Sequence, residues 1–198
     1  MSGKRDGEYR QVDSLIAEYA GTWTALFRYD EGVMPAPDGV SPSVRALEYR
    51  DAMSDIRRLK DVLMQRGEAT ELFGQERGDA FKGLLGSIEQ TMFGEPLYGS
   101  REEKAANLLY FIIKDHPFSD GNKRIGSFMF LRYMDMQGMD VRMTQDAMTT
   151  LALLVAKSDP SDKDLMIRLT MGGLVGRGPT PSEDLPWAGR RRRPWVGR

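Results

Sequence analysis

The sequence predicts an all-α fold with one small β-hairpin. Apolar residues recur at helical spacing along most of the chain, and Pro- and Gly-rich stretches separate these runs. Between Gln90 and Ser100 the pattern changes, and two short extended segments around a Gly94-Glu95 turn indicate a hairpin. With 198 residues, 40% of them hydrophobic, the chain is long enough to bury the core of one globular domain.

Three helices are predicted before the hairpin. The first covers about residues 11–29, where a stripe of apolar side chains indicates packing, and a Pro- and Gly-rich loop at 30–39 follows it. Ser41-Pro42 offers an N-cap and a first-turn proline for a long helix that reaches about Leu63. An irregular connection at 67–78 leads to the third helix. This helix would bury four apolar residues, Phe81, Leu84, Leu85 and Ile88.

Two strongly apolar helices are predicted directly after the hairpin. Ser100 and Glu103 form a capping box that starts the first of them, and this helix would carry His116 at its end. The second begins near Arg124 and ends at Gly138. A loop that contains most of the chain's chemically capable groups therefore joins two helices of the core.

Two further helices complete the predicted fold. Thr144 can cap the first, and Asp159-Pro160 begins the second, which Gly172-Gly173 would stop. These boundaries predict an N-terminal helix and loop at 1–40, one main domain at 41–175 and a tail at 176–198. The tail is rich in Pro, Gly and Arg, a composition typical of disorder. Its run 190–193 could contact nucleic acid or an acidic partner, but a run of this kind is more often a solvated tail without such a role.

Composition excludes several classes of protein. The chain has no cysteine, which excludes disulfides, thiol nucleophiles and Cys-ligated metals. It has one histidine, so any metal is expected to be bound by oxygen. A net charge of −1 argues against a nucleic-acid coat or a membrane-surface protein, and no apolar run has the length of a membrane span. We expect a bacterial cytoplasmic protein, or one secreted without a Sec-type signal.

The segment 116–126, HPFSDGNKRIG, predicts a site for anions. The second core helix opens there with unpaired backbone N–H groups and the positive end of its dipole. Gly121 lets the backbone curl so that a phosphate can approach closely, and Lys123 and Arg124 add positive charge. This arrangement favours a polyphosphate ligand.

Two more groups in the segment indicate chemistry at that phosphate. Asp120 offers the hard oxygen ligands that suit Mg²⁺. Histidine side chains ordinarily titrate near neutral pH, so His116 is suited to accept a hydroxyl proton as a general base. A lone histidine, an Asp-Gly-Asn turn and a Lys-Arg pair are each common without function. Their order and spacing between two apolar helices favour phosphoryl or nucleotidyl transfer to a hydroxyl.

The segment 116–124 resembles the signature of the Fic/Doc (Fido) family, His-x-Phe-x-Asp/Glu-Gly-Asn-Gly/Lys-Arg. Every fixed position up to Arg124 is satisfied. The flanks resemble the family from about Leu59 to about Leu174, and the sequence of residues 103–110 resembles that of the bacterial RhuM-like branch. The resemblance implies a Fic-type helical bundle with a β-hairpin flap over the active-site loop.

The resemblance also implies a role for each matched residue. His116 would be the general base that activates the target hydroxyl, and Asp120 would bind Mg²⁺ beside the substrate ATP. The residues implied in nucleotide and phosphate binding are Phe118, Gly121, Asn122, Lys123 and Arg124. The flap would clamp a target protein by strand addition, through Thr91, Met92, Phe93, Gly94, Leu97 and Tyr98.

Two departures from the family pattern concern the group transferred. Family members that transfer AMP typically have glycine where this chain has Lys123, and a second arginine where it has Ser127. Doc toxins, which are kinases that transfer the γ-phosphate, resemble this chain in the lysine. The resemblance favours a protein adenylyltransferase that modifies Ser, Thr or Tyr. The alternatives are a Doc-like kinase toxin and a nucleotide-binding regulatory module without turnover.

The family's inhibitory motif has no match in the sequence. That motif is Ser/Thr-x-x-x-Glu-Gly/Asn, and Glu31-Gly32 comes nearest, with Phe27 in place of the hydroxyl residue. The resemblance therefore implies either a separate antitoxin chain that restrains the enzyme or no restraint of this kind.

Overall fold

The computed structural model describes residues 14, 16, 17, 20–32, 40–139, 141 and 143–175. These residues form seven α-helices, one short 3-10 helix and one two-stranded antiparallel sheet, which confirms the all-α fold with a small hairpin. The predicted division at residues 40 and 175 stays a prediction, and the Arg-rich tail at 176–198 lies outside the described residues.

The elements follow one another in the order expected from the sequence. Before the sheet lie α1 (Ala20–Asp30), α2 (Tyr49–Gln65) and α3 (Ala80–Ile88). The sheet consists of β1 (Thr91–Met92) and β2 (Glu95–Pro96). After it come α4 (Arg101–Asp115), α5 (Asn122–Met136), α6 (Gln145–Lys157), a 3-10 turn (Pro160–Asp162) and α7 (Lys163–Val175). None of the helices described is long and apolar enough to cross a membrane.

Helix α4 is the centre of the core. It packs against α3, α5, α6 and α7, and its side chains are buried on nearly all sides. A Cβ atom at Gly126 of α5 would lie 3.0 Å from Cγ1 of Ile113 in α4, so glycine permits a close approach of these two helices. The loop 116–121 is therefore held between two helices that are packed tightly together.

The long second helix begins later than the sequence indicates. Ser41-Pro42 does not start it, and α2 begins at Tyr49. The backbone N–H of Ser41 donates to Oε2 of the buried Glu102 at 2.9 Å, and the N–H of Val44 donates to Oε1 of Gln137 at 2.7 Å. These partners lie far away in the sequence. They accept hydrogen bonds from two backbone N–H groups of the segment 41–45, which is therefore stable in a non-helical conformation.

Helix α1 forms within the stretch where the sequence predicts the first helix. Residues 14, 16 and 17 are also helical, and the other positions of the predicted helix before residue 20 lie outside the described residues. The expectation that the apolar stripe of this helix packs stays a prediction.

Helix α7 continues through the glycine pair that was expected to stop it. The helix ends at Val175, beyond Gly172-Gly173. A Cβ atom at Gly173 would lie 3.0 Å from Cε of Met143, so the lack of a side chain at Gly173 permits this methionine to approach the helix closely. Glycine in a helix costs only about 1 kcal/mol relative to alanine, an amount that tertiary packing readily offsets.

The predicted caps are present, one of them in altered form. Ser100 Oγ accepts a hydrogen bond from the N–H of Glu103 at 3.1 Å, but the Glu103 carboxylate accepts from Gly99 instead of Ser100. Gly138 ends α5 with a φ of +68°, and Thr144 Oγ1 accepts from the N–H of Ala147 at the start of α6. Local sequence thus sets these three helix ends.

We expect Thr144→Ala to lower the free energy of unfolding by about 1 kcal/mol, because α6 loses its N-terminal cap. Urea denaturation followed by circular dichroism measures this change. Thr149→Ala is the matched control, since this exposed hydroxyl bonds only to the carbonyl of Gln145 within the same helix. An equal loss in both variants would contradict the capping role.

Candidate active site

The loop that carries the candidate chemistry lies between two helix ends in left-handed backbone conformation. His116 is the C-cap of α4 with φ 49° and ψ 57°, and its side chain is exposed. Gly121 is the N-cap of α5 with φ 87°. The sharp reversals at both residues bring the exposed imidazole and the start of α5 within one short loop. The place of His116 at the end of α4 agrees with the sequence prediction, and α5 begins at Asn122, slightly before the predicted start near Arg124.

The N-terminus of α5 has no side-chain cap. Its first intrahelical bond runs from the N–H of Ile125 to the carbonyl of Gly121 at 2.8 Å. The N–H groups of residues 122–124 therefore precede the regular ladder, at the positive end of the helix dipole. This end of the helix can hold an anion through its backbone.

Asn122 holds the loop in shape with its side chain. Its Nδ2 donates to the carbonyl of Phe118 at 2.8 Å, and its Oδ1 accepts from the N–H of Phe118 at 3.0 Å. The side chain is buried, and these two bonds use its oxygen and one of its two amide donors. The phosphate contact of Asn122 stays a prediction, and its backbone N–H is available for it.

Phe118 has a packing role. Its ring is fully buried and lies 5.0 Å, between centroids, from the ring of Phe81 in α3. The structure thus gives this side chain a place in the core, where it anchors the loop. Its part in nucleotide binding stays a prediction.

Gly121 is required by its surroundings as well as by its φ angle. A Cβ atom there would lie 2.4 Å from Cε2 and 2.5 Å from Cδ2 of Phe73. The ring of Phe73, which is 1% exposed, packs directly beneath the start of α5. No other residue type fits at position 121 without a shift of this ring.

The connection 67–78 supports the loop through backbone hydrogen bonds. Gly74 N–H donates to Asp120, Ser119 N–H donates to Gln75, and Arg77 N–H donates to Pro117, at 3.2, 2.8 and 2.9 Å. Sequence reasoning identified this stretch only as irregular. Nothing in its hydrophobic pattern indicates the pairing, although the glycines at 67, 74 and 78, all with positive φ, mark a specified backbone path.

Arg124 is held by three groups. Its guanidinium lies over the Phe73 ring, with Cζ 4.7 Å from the centroid, and its Nη1 donates to the carbonyl of Glu68. Its Nη2 lies 3.5 Å from Oδ2 of Asp120. The side chain is 43% exposed and a guanidinium has five N–H donors, so donors remain for a phosphate.

Asp120 fits one ligand position of a magnesium ion. Its Oδ1 accepts from the N–H of Gly121 at 2.6 Å, and its carboxylate is 43% exposed, so an ion can reach it. Among the described residues, no group of three or more acidic or histidine side chains could hold a metal. Mg²⁺ commonly binds through one carboxylate together with substrate phosphates and water. The donor set therefore fits Mg²⁺ that arrives with a nucleotide.

The two positions that depart from the family pattern follow on α5. The side chain of Lys123 is exposed at the start of the helix. Ser127 Oγ donates to the carbonyl of Lys123 at 2.9 Å, within the helix. A serine at this position supplies no positive charge, so Lys123 and Arg124 carry the basic charge of the motif.

Asp115 lies beside His116 at the end of α4. Partial burial raises the pKa of the Asp115 carboxyl group, while the positive charges of Lys163 and His116 act to lower it. The imidazole of His116 therefore lies close enough for its charge to act on the Asp115 carboxyl group.

The predicted hairpin is confirmed. Thr91 pairs with Pro96 and Met92 with Glu95. Phe93 and Gly94 both have positive φ, 55° and 89°, as in a type I′ turn. Its apolar side chains are turned to solvent, with Met92 52%, Phe93 100% and Leu97 38% exposed. Its role as a flap that docks a target stays a prediction.

Comparison with known proteins gives one match. Residues 51–134 match the family model of the Fic/DOC family. Searches of curated proteins and of solved structures gave no significant match. The matched segment runs from α2 to α5, contains the whole loop and covers less than half of the chain. The RhuM-like branch and the identity of the transferred group stay predictions.

Proposed function

From the Fic/DOC match of residues 51–134, we propose that this chain is a protein adenylyltransferase, which moves AMP from ATP to a Ser, Thr or Tyr hydroxyl of a target protein. The observation that carries the proposal is the loop 116–124. Four groups lie within its nine residues. They are the exposed imidazole of His116, the partly exposed carboxylate of Asp120, the guanidinium of Arg124 and the N-terminus of α5, which has no side-chain cap. Each of these groups has a defined task in such a transfer.

The reaction uses His116 as its base. The imidazole accepts the proton of the target hydroxyl, the hydroxyl oxygen forms a bond to the α-phosphorus, and the bond to the β-phosphate oxygen breaks. Pyrophosphate leaves. The N–H groups of residues 122–124 and the guanidinium of Arg124 bind the phosphate oxygens and stabilise the charge that develops on them. Magnesium, held by Asp120, would neutralise part of the charge on the phosphates when it is bound.

A second candidate reaction is transfer of the γ-phosphate, as in Doc kinases. The observation that favours it is the exposed Lys123 at the start of α5 together with Ser127, which supplies no second arginine. The same base and the same anion site serve both reactions, because they differ only in which phosphorus lies opposite the target hydroxyl.

ATP labelled at the α- or the γ-phosphorus separates the candidates. The protein is incubated with each form, Mg²⁺ and a cell lysate, and label on protein is then measured. Adenylyl transfer predicts label from the α position only, whereas label from the γ position only would establish kinase activity. ATP binding with no transfer of either label would indicate a regulatory module. His116→Ala is the negative control in each arm.

The hairpin is proposed to dock the target. We expect Phe93→Ala to reduce transfer to the target by about tenfold while ATP binding is unchanged, because the fully exposed ring is lost from the tip. A titration of target concentration against labelled product measures the loss. Val44→Ala, at another strongly exposed apolar side chain, is the control. Equal activity of the wild type and Phe93→Ala would contradict the docking role.

We further propose that a separate antitoxin chain restrains the enzyme, since the intramolecular inhibitory motif is absent from the sequence. Expression of the wild type without that antitoxin should slow the growth of a host cell, whereas expression of His116→Ala should not. Equal, undisturbed growth with both forms would contradict the proposal.

A further inference from the structure

We propose that Phe73 is a positioning residue: its ring fixes the guanidinium of Arg124 at the place where the nucleotide phosphates bind. The inference rests on the proposed function for its ligand. It assigns a task to a residue that lies outside the motif and in a connection without regular secondary structure.

The first observation is that Phe73 contacts the motif on two sides. Its ring faces the guanidinium of Arg124 at 4.7 Å, and its edge occupies the space beside Gly121 where a side chain would otherwise lie. A bridge between its backbone and that of Asp120 holds the residue in this position. One side chain thus touches the N-cap of α5 and the arginine one turn further along.

The second observation concerns the other partner of Arg124 in the same connection. The carbonyl of Glu68 accepts from Nη1, so the guanidinium is held by both ends of the stretch 68–73. Long flexible side chains lose rotamer freedom when they are ordered. An arginine that is ordered before the nucleotide arrives avoids part of this cost at the binding step.

The chemistry of a ring explains why phenylalanine suits position 73. The face of an aromatic ring attracts a delocalised cation, and Arg stacks flat upon it. An aliphatic side chain would still fill the space below Gly121 but would offer no such attraction. A role in packing alone therefore predicts that leucine is a fair substitute, whereas a positioning role predicts a specific loss at Arg124.

The test compares Phe73→Leu with Phe130→Leu, which removes an equally buried ring from α5. For Phe73→Leu we expect the Kd for Mg-ATP, measured by calorimetry, to rise about two- to fivefold. The KM for ATP should rise by the same factor, with kcat at saturating ATP nearly unchanged. A rise of the same size in Phe130→Leu would overturn the proposal.

A double-mutant cycle with Arg124→Ala tests whether the effect passes through the guanidinium. Phe73→Leu should weaken ATP binding no further once Arg124 is replaced. An equal loss in both backgrounds would overturn the positioning role.

A measurement without nucleotide keeps the inference separate from the proposed function. The Nε–H resonance of Arg124 should carry a ring-current shift that disappears in Phe73→Leu and remains in Phe130→Leu. No change of this resonance in Phe73→Leu would overturn the inference even where ATP binds. A wild-type protein with the expected shift that binds no ATP would instead refute the proposed function.

Discussion

Replacement of His116 with alanine is expected to lower kcat for transfer by a factor of about 10² to 10⁴, the range that general base catalysis contributes. The target hydroxyl would retain its proton as it attacks phosphorus, because the loop offers no second imidazole. The exposed side chain of His116 takes no part in the anion site formed by residues 121–124. We therefore expect the Kd for Mg-ATP to stay within about twofold of the wild type.

Single-turnover transfer of labelled AMP, together with calorimetric ATP binding, measures both effects. Ser119→Ala is the matched control, since this exposed residue of the same loop donates only through its backbone N–H to Gln75. Its rate should equal that of the wild type. Full activity of His116→Ala would refute the role of the imidazole as the base.

Gly121→Ala should have the second large effect, on stability and nucleotide binding together. The alanine would have to adopt the left-handed φ of 87°, and its Cβ atom would lie 2.4 Å from Cε2 of the Phe73 ring. The sum of backbone strain and overpacking predicts a loss of about 2–4 kcal/mol in the free energy of unfolding. ATP affinity should fall by at least tenfold, because the start of α5 and the ring that holds Arg124 must shift apart.

Gly138→Ala is the control that separates these causes. This glycine also has a positive φ of 68°, but a Cβ atom there would meet nothing within 4 Å. We expect it to cost only about 1 kcal/mol and to leave ATP binding unchanged. Chemical denaturation and calorimetry measure both quantities. Similar losses of stability in the two variants would show that the contact with Phe73 contributes nothing.

Much of the fold could be predicted because its determinants are local. The periodicity of α3 to α6 and the caps at Ser100 and Thr144 depend on neighbours within a few residues. The start of α2 could not be predicted this way. Its preceding segment is held by Glu102 and Gln137, which lie 61 and 93 residues away from their partners.

The candidate site could be predicted only in part, for the same physical reason. His116 and Gly121 lie at helix ends, where the chain itself indicates their place. Side-chain direction within a tight loop depends on what packs around it, so the buried ring of Phe118 and the backbone contacts of the Asn122 side chain were not predictable. Phe73 was missed because an irregular connection has no period to read.

The most direct test of the central claim is a crystal structure of His116→Ala with ATP and Mg²⁺. The account predicts triphosphate oxygens on the N–H groups of residues 122–124 and on the guanidinium of Arg124, with Mg²⁺ bound by Asp120. ATP bound at another place on the protein, with the start of α5 free of phosphate, would contradict it.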